Sequence, residues 1–341
     1  MTVLSLLSAL MAAVRLVLVL SGLSLHEQVN PADKPQETPQ PATQPATQPV
    51  TQPETQRVTQ PATGTTTIVV PRTEPAAPAS GSATFADAEA LLDALERADA
   101  GLKSLRADVR YDKIFEDQGD RQTRFGRLMF RAQPPLTEGG PALRSFALLI
   151  DELLLGTRSE KKLTMIVFNG EWFVEKVPSE KRFTKRRIAK PGDAFDPFKV
   201  GEGQFPLPIG QKKADILSRF DAKLLPATEG LDGDDAKETA ELRAFVEGTY
   251  QLRLTIRPEL RAAAEMREIR LWYKPQVRSD GSMQLLPRLA RTTHRGGTLS
   301  LVRLLNVTVN QSFDGDPFDV SNPPSDWEIS IQDELAAVDG R

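Results

Sequence analysis

Residues 163–177 read LTMIVFNGEWFVEKV, and this stretch contains the strongest signal for local structure in the sequence. Two runs rich in aliphatic and aromatic residues, Leu163–Phe168 and Trp172–Val177, flank the dipeptide Asn169-Gly170. Asn-Gly between such runs favours a tight β-hairpin turn, because both residues tolerate a positive φ. The stretch therefore predicts two antiparallel strands.

Alternation of apolar and polar residues continues on both sides of this hairpin, and it predicts further strands with one wet face. A turn at Pro178–Lys181 leads into a strand at 182–189. Other strands are predicted at 105–112, 125–131, 145–152, 250–257, 268–274, 285–295 and 298–310. About ten antiparallel strands without a repeated helix between them exclude a doubly wound parallel sheet and its usual nucleotide site.

Two helices are predicted to cover this sheet. The first has Thr84 as a plausible N-cap, and its apolar residues Phe85, Ala88, Leu91, Leu92, Leu95, Ala98 and Leu102 recur at helical spacing. A second, short helix would carry Ile209, Ile216, Leu217 and Phe220 after the Pro-, Gly- and Phe-rich segment 191–208. The acidic stretch Glu229–Glu241 reads as a solvent loop. The simplest architecture for these elements is a curved sheet that is partly covered by the helices.

The first 83 residues differ in composition from the rest. Residues 1–25 are apolar except for Arg15 and a few Ser and Thr, which is typical of a secretory signal or an uncleaved signal anchor. Residues 26–83 contain a Gln-Pro-Ala-Thr type array, with Gln recurring every fourth residue from 36 to 60. Such a tract has nothing to bury and predicts an extended, disordered linker.

Composition excludes several kinds of chemistry. The chain has 341 residues, no cysteine, two histidines and a formal net charge of −3. No disulfide, thiolate nucleophile or Cys-ligated metal is possible, and the near-neutral balance argues against nucleic-acid binding. No nucleophile elbow, P-loop or dinucleotide fingerprint is present. The spacing of Asp232, Asp234, Asp235 and Glu238 does not match a calcium loop.

The order of these segments resembles the lipoprotein-localisation family, which comprises the periplasmic lipoprotein carrier, its outer-membrane acceptor and LolA-like domains. The resemblance starts at the helix 86–102 and continues through Phe125–Phe130 leading to Pro134-Pro135. Phe168–Phe173, Gln251–Pro258 and Ile269–Pro275 follow in the family's order, and 304–324 resembles its closing pattern. The carrier has Arg-Pro after its second strand, and that arginine helps to hold the lid closed. Here the sequence is Arg131-Ala132-Gln133-Pro134.

The resemblance implies an α+β, mainly antiparallel fold: an incomplete, half-open β-barrel of about eleven strands, with helices as a lid over a hydrophobic cavity. It implies no catalytic residue, no metal and no cofactor. The candidate cavity residues are Leu128, Phe130, Phe146, Leu148, Ile166, Phe168, Trp172, Val174, Leu252, Leu254, Ile269 and Leu271.

The expected domain order is a signal or anchor (1–25), a linker (26–83), a LolA-like lipid-binding domain (84–331) and a C-terminal tail (332–341). We expect an exported, monomeric envelope protein, not an enzyme, that binds a lipid or lipoprotein acyl chain. It is either free in the periplasm or tethered to the inner membrane. Membrane contact could come from residues 1–25 or from the basic strand 181–190. The alternative for this strand is an ordinary solvent-exposed sheet face, or a sheet edge protected by charge. The alternative function is a tethered protein-interaction or sensor module of the same fold.

Overall fold

The computed structural model describes residues 85–135, 138, 142–190, 200, 209, 212–278 and 281–333, which all lie in one compact unit, Ser82–Arg341. The predicted signal segment 1–25, the linker 26–83 and the N-cap candidate Thr84 lie outside the described residues. So do most of segment 191–208 and the tail after Asp333.

Twelve strands form one sheet. They are β1 (Ser104–Phe115), β2 (Asp120–Gln133), β3 (Leu143–Leu155), β4 (Arg158–Phe168), β5 (Trp172–Val177), β6 (Arg182–Arg187), β7 (Phe220–Leu225), β8 (Tyr250–Ile256), β9 (Met266–Val277), β10 (Met283–His294), β11 (Thr298–Val309) and β12 (Glu328–Asp333). The described residues also form the α-helices α1 (Ala88–Asp99), α2 (Lys213–Leu217) and α3 (Ala236–Phe245).

The sheet is a long meander that does not close. Its order is β12-β6-β5-β4-β3-β2-β1-β11-β10-β9-β8-β7, so β12 and β7 are the two edges. Neighbouring strands are antiparallel, except that β12 pairs with β6 in parallel. One apolar cluster gathers side chains from β1–β5 and β7–β11 around α1, which makes their shared face the inner face of a curved sheet. The predicted mainly antiparallel half-open barrel is confirmed.

The predicted hairpin at Asn169-Gly170 joins β4 and β5. The Asn169 side chain accepts hydrogen bonds from the backbone N–H groups of Glu171 (3.1 Å) and Trp172 (2.8 Å). Gly170 has φ +106°, a conformation that an L side chain rarely adopts. Phe168 and Phe173 are therefore cross-strand partners at the base of the turn.

Helix α1 begins later than the sequence pattern predicts. Asp87 is its N-cap, and the Asp87 carboxylate accepts a hydrogen bond of 2.8 Å from the backbone N–H of Ala90. The helix ends at Asp99, so it is shorter than the predicted span 86–102. Its buried residues are Ala88, Leu91, Leu92, Ala94 and Leu95. The apolar stripe is thus the face that packs on the sheet.

The prediction of a solvent loop over 229–241 is wrong for its second half, because residues 236–241 begin helix α3. Asp235 caps α3 by accepting a hydrogen bond of 2.7 Å from the backbone N–H of Glu238. Leu242 and Val246, which follow the acidic residues, pack with the fully buried Trp272 of β9 on the outer face of the sheet. The helix forms because its few apolar residues find a large apolar partner far away in sequence.

A second part of the outer face is covered by residues 311–327, which we call the C-terminal strap. Phe313, Phe318, Val320 and Trp327 of the strap pack on an outer cluster that includes Phe183 of β6. Phe318 is almost completely buried there. The strap then delivers β12 to the edge of β6. The sheet therefore has an inner cover built around α1 and two outer covers, α3 and the strap.

Candidate functional site: the inner face of the half-barrel

Ten of the twelve predicted cavity residues lie together on the inner face. They come from strands on both sides of the sheet centre, since β2, β3 and β4 lie to one side of β1 while β8 and β9 lie to the other. Nine are buried in the main cluster, and Ile166 is partly buried against it. The ten are Leu128, Phe130, Phe146, Leu148, Ile166, Phe168, Leu252, Leu254, Ile269 and Leu271.

The other two predicted residues, Trp172 and Val174, point to the outer face. Side chains alternate along a strand, and in β5 it is Phe173 that belongs to the inner cluster. Val174 packs instead with Phe183 in the outer cluster, and the Lys185 ammonium lies 4.7 Å from the centre of the Trp172 ring. Because β5 is apolar on both faces, its sequence does not reveal which residues face inward.

A small number of residues covers the inner face. Leu91, Leu92 and Leu95 of α1 are buried against it, together with Val200, Ile209 and Ile216. The ring of Phe85, just before α1, meets the Tyr250 ring edge to face at 4.7 Å. These contacts are apolar, so the cover is held to the sheet mainly by exclusion of water from both surfaces.

Polar contacts of the cover lie at its rim. The ammonium of Lys213, at the start of α2, lies 3.1 Å from the Glu89 carboxylate and 3.0 Å from the Asp93 carboxylate of α1. Glu96 of α1 accepts a hydrogen bond of 3.1 Å from the backbone N–H of Lys213. The carboxylates of Asp93 and Glu89 raise the pKa of the Lys213 ammonium. The site is solvated, so these contacts orient α1 and α2 more than they stabilise them.

Two arginines hold the cover by its backbone. Arg144 of β3 donates a hydrogen bond of 3.2 Å to the Ile209 carbonyl, and Arg219 donates to the Val200 carbonyl. The sequence analysis missed both, since nothing in a local pattern links Arg144 to a carbonyl 65 residues away. Arg144 lies two residues before Phe146 in β3 and therefore shares the inner side of the sheet.

Arg131 lies on the opposite side of the sheet from the cover. Its guanidinium stacks 4.3 Å from the centre of the Phe318 ring and lies 3.7 Å from the Asp316 carboxylate, both in the strap. Phe130, its neighbour in β2, takes the inner position. Arg131 therefore contacts the outer cover and not the inner one.

Three polar side chains lie at the boundary of the inner face, near the hairpin that joins β10 to β11. The His294 Nε2 atom lies 3.1 Å from the Ser300 hydroxyl, and the Tyr111 hydroxyl lies 3.4 Å from the same oxygen. Burial, and then the charge of Lys113, lower the pKa of the His294 imidazole and so favour the neutral ring. Nothing in the local sequence around His294 indicates these partners.

The outer cover α3 rests on a network of charges. The Asp112 carboxylate is fully buried and accepts hydrogen bonds from Arg110 (3.1 Å), Arg121 (3.2 Å) and the Thr123 hydroxyl (2.6 Å). Arg121 also binds Glu238 of α3 at 2.6 Å. That hydrogen bond lowers the pKa of the Glu238 carboxyl to about 2.

Arg303 of β11 completes the network, because it lies between the two acids. It donates a hydrogen bond of 3.0 Å to Glu238 and lies 3.7 Å from the Asp112 carboxylate. The helix is therefore fixed by ion pairs that reach into the sheet.

The basic run 181–190 is largely neutralised by its neighbours. Arg182 pairs with Glu175 and Glu180, and Arg187 pairs with Glu171 (2.7 Å) and Asp333 (3.4 Å). Other members of the run contact the strap: Lys181 binds Asp326 at 2.7 Å, and Lys185 donates to the Val320 carbonyl at 3.0 Å. Because β12 pairs with β6, the run does not lie at an edge of the sheet, and its contacts match the interpretation of an ordinary sheet face.

Two pockets stand out in the described residues, and both lie off the inner face. A groove of about 400 Å³ between the ends of β1 and β2 and the strap is lined by Lys103, Arg131 and Phe313 among others. A polar hollow of about 220 Å³ lies beside Arg110 and Glu238. Within the described ranges, no group of three or more His, Asp or Glu residues could hold a metal ion. No helix of the described part is long and apolar enough to cross a membrane.

Comparison with known proteins finds solved structures of low sequence identity to this chain. No family model matches the chain, and no curated protein matches it. A putative outer membrane lipoprotein-sorting protein domain from Vibrio parahaemolyticus is 10% identical, with a TM-score of 0.31. The match covers 67% of this chain and 95% of that one.

LprF from Mycobacterium bovis is 14% identical, over 67% of this chain and 96% of that one, with a TM-score of 0.34. A LolA superfamily protein from Nitrosomonas europaea is 10% identical, over 67% and 96%, with a TM-score of 0.28. Since the TM-scores are below 0.5, the fold rests on the sheet order and register described above.

Proposed function

We propose that this protein is an exported binding protein, not an enzyme, whose half-barrel holds an acyl chain of a lipid or lipoprotein on its inner face. One observation carries the proposal. The inner face is apolar across ten strands, yet α1, α2 and a few single residues are its described cover. Export follows from the signal-like composition of residues 1–25.

The cover is built so that a hydrocarbon could replace it. Leu91, Leu92 and Leu95 contribute only apolar surface to the inner cluster. An acyl chain offers the same kind of surface, so exchanging one for the other leaves no buried polar group without a partner. The inner face is closed in this structure, and binding therefore requires α1 to move away from the sheet.

Chain length supplies a quantitative expectation. Burial of each methylene contributes about 0.8 kcal/mol, so affinity for saturated fatty acids would rise about fourfold per methylene until the space is filled. Displacing α1 costs a fixed amount, which reduces affinity equally for every chain length. A rise followed by a plateau is therefore the signature of a bounded apolar site.

A second candidate is an envelope module that binds or senses a protein without carrying lipid. The packing of the inner face favours it, because Leu252, Leu254 and Ile269 are completely buried and neither pocket described above opens onto them. A long tether through residues 26–83 would suit either function.

Native mass spectrometry of the full-length protein, purified from its own envelope, tests the first proposal. We expect a co-purifying mass of a lipid, and an increase in melting temperature with added fatty acids that grows with chain length. Absence of both would leave the protein-binding module as the remaining function.

Two arginines provide a matched pair of variants. Arg144→Met removes the hydrogen bond to the Ile209 carbonyl, whereas Arg131→Met removes contacts on the outer face. We expect the first to change the affinity or release rate of a bound fatty acid at least severalfold and the second to change neither. Equal effects of the two variants would argue against binding beneath the inner cover.

A further inference from the structure

The outer face carries a line of arginines that the proposed function does not use. We call Arg106 and Arg110 of β1 and Arg127 and Arg131 of β2 the arginine stripe. Arg106 lies opposite Met129, so it is the diagonal neighbour of both Arg127 and Arg131. Met129 belongs to the outer cluster, which places the stripe on the outer side of the sheet. Diagonal neighbours in a sheet are about 7–8 Å apart, so these cations reinforce one another's field.

The stripe runs between the two outer covers. The strap packs over β2–β6, and α3 packs over β9–β11, which leaves β1 and the adjoining edge of β2 between them. At one end the stripe meets the groove of about 400 Å³, where Lys103 adds another cation and Phe313 adds an apolar contact. The stripe thus lies in a positively charged surface groove between α3 and the strap.

Two acids, Asp108 and Asp112, lie on the same face as the stripe and offset part of its charge. Asp108, opposite Arg127, accepts a hydrogen bond of 2.7 Å from Asn306. Asp112 is buried and already binds Arg110 and Arg121. Within the described part of the chain, Arg106 and Arg127 are exposed and have no ion-pair partner within 4.0 Å.

The geometry points to an extended acidic polypeptide segment of a partner protein as the ligand of the arginine stripe. Arg127 and Arg131 are four residues apart in one strand, a separation of about 13 Å. In an extended segment with an acidic residue at every second position, successive carboxylates on one side are about 6.6–6.8 Å apart. Two such steps span about 13 Å, so two carboxylates of the segment can contact both arginines. A flat lipid surface fits the stripe less well, because α3 and the strap stand on either side of it.

This ligand would bind on the face opposite the candidate acyl-chain site. The two sites share the sheet but no side chain, since Leu128 and Phe130 point inward where Arg127 and Arg131 point outward. A failure of either proposal therefore leaves the other unaffected. Binding at the stripe should weaken steeply as salt rises, because its contacts are exposed ion pairs.

Fluorescence anisotropy with a labelled peptide of alternating Glu and Ser tests the proposal. The double variant Arg106→Glu, Arg127→Glu is compared with Lys223→Glu, Lys274→Glu, which changes the net charge equally on exposed lysines of β7 and β9. We expect the stripe variant to lose at least about tenfold in affinity, about 1.4 kcal/mol, and the control less than about twofold. Both proteins are first checked for an unchanged cooperative thermal transition.

A neutral double variant, Arg106→Gln, Arg127→Gln, keeps the test valid if the charge reversal unfolds the protein, and it should show an intermediate loss. No binding of the peptide by the wild type, or an equal loss in the control, overturns the proposal. Binding of vesicles of phosphatidylglycerol and phosphatidylcholine that depends on the stripe, without binding of the peptide, would identify a lipid surface as the ligand instead.

Discussion

The two faces of this sheet are covered by helices that are attached in different ways. On the inner face, α1 buries Leu91, Leu92 and Leu95, and its ion pairs to Lys213 lie in solvent at the rim. On the outer face, α3 buries Leu242 and also binds the charged network around Asp112 through Glu238. The inner cover thus depends on apolar contact, and the outer cover on apolar contact plus buried charge.

This difference determines which cover a ligand can replace. Lifting α1 exposes apolar surface, which another apolar molecule can cover at no electrostatic cost. Lifting α3 would separate Glu238 from Arg121 and Arg303 beside a fully buried carboxylate, and an incomplete buried network is strongly destabilising. We therefore expect α1 to be the movable element and α3 to be a permanent part of the fold.

The largest expected effect comes from removing the centre of the outer network. Asp112→Ala leaves Arg110, Arg121 and Arg303 without their shared acceptor, and we expect a loss of about 3–5 kcal/mol in the free energy of unfolding. Urea unfolding measures it. The matched control is Asp108→Ala on the same side of β1, which removes one partly exposed hydrogen bond to Asn306 and should cost about 1 kcal/mol. Equal losses would mean that α3 is not anchored by the network.

Leucine-to-alanine changes in the two covers separate their roles. Leu92 of α1 and Leu242 of α3 are both 2% exposed, so each substitution should cost about 2–5 kcal/mol in urea unfolding. Only Leu92→Ala should also tighten the binding of a fatty acid, by about three- to tenfold, because it raises the population of the open inner face. Titration with a fluorescent fatty acid measures this. A gain in both variants, or in neither, would contradict a lid on the inner face alone.

Acid should weaken the outer cover through Glu238. The pKa of Glu238 is lowered from 4.5 to about 2, so its contribution is complete above pH 4.5 and disappears as the pH falls toward about 2. Because solvent screens the site, we expect the contribution to be about 1–2 kcal/mol. Glu238→Gln should remove this pH-dependent part of the unfolding free energy. The control is Glu241→Gln, on the exposed side of α3, which should keep the pH dependence of the unfolding free energy unchanged. If Glu238→Gln also kept this pH dependence, the ion pair assigned to Glu238 would be contradicted.

The strands could be predicted from the sequence because each carries its own signal. Alternation marks β1, β8 and β9, and Asn169-Gly170 marks the β4–β5 turn before any tertiary contact is considered. Helix α1 is equally local, since its apolar stripe recurs within twelve residues. These elements fix the half-barrel, and they place ten of the twelve predicted cavity residues on one face.

Other features depend on partners that are distant in the chain. Helix α3 could not be predicted from its acidic sequence, because three later strands supply the surface that stabilises it. This surface consists of Trp272, Leu289 and Leu301. The outward direction of Trp172 and Val174 is hidden because β5 is apolar on both faces. Arg144 reads as an ordinary strand residue until the chain brings Ile209 within hydrogen-bonding distance. Local patterns do not encode such contacts.

The smallest expected effect concerns the rim of the inner cover. Lys213→Met removes the ion pairs to Glu89 and Asp93 and keeps a long side chain, so global unfolding in urea should hardly change. If α1 opens as a unit, those pairs bias only the local opening, and amide hydrogen exchange in α1 should become a fewfold faster while exchange in α3 stays the same. The difference should vanish at high salt, where exposed pairs are screened. Lys212→Met, at the preceding exposed lysine, is the matched control and should leave exchange in both helices unchanged. Faster exchange in α3 together with α1 would mean that the two covers open in one step, and the contrast between a movable and a permanent cover would then be lost.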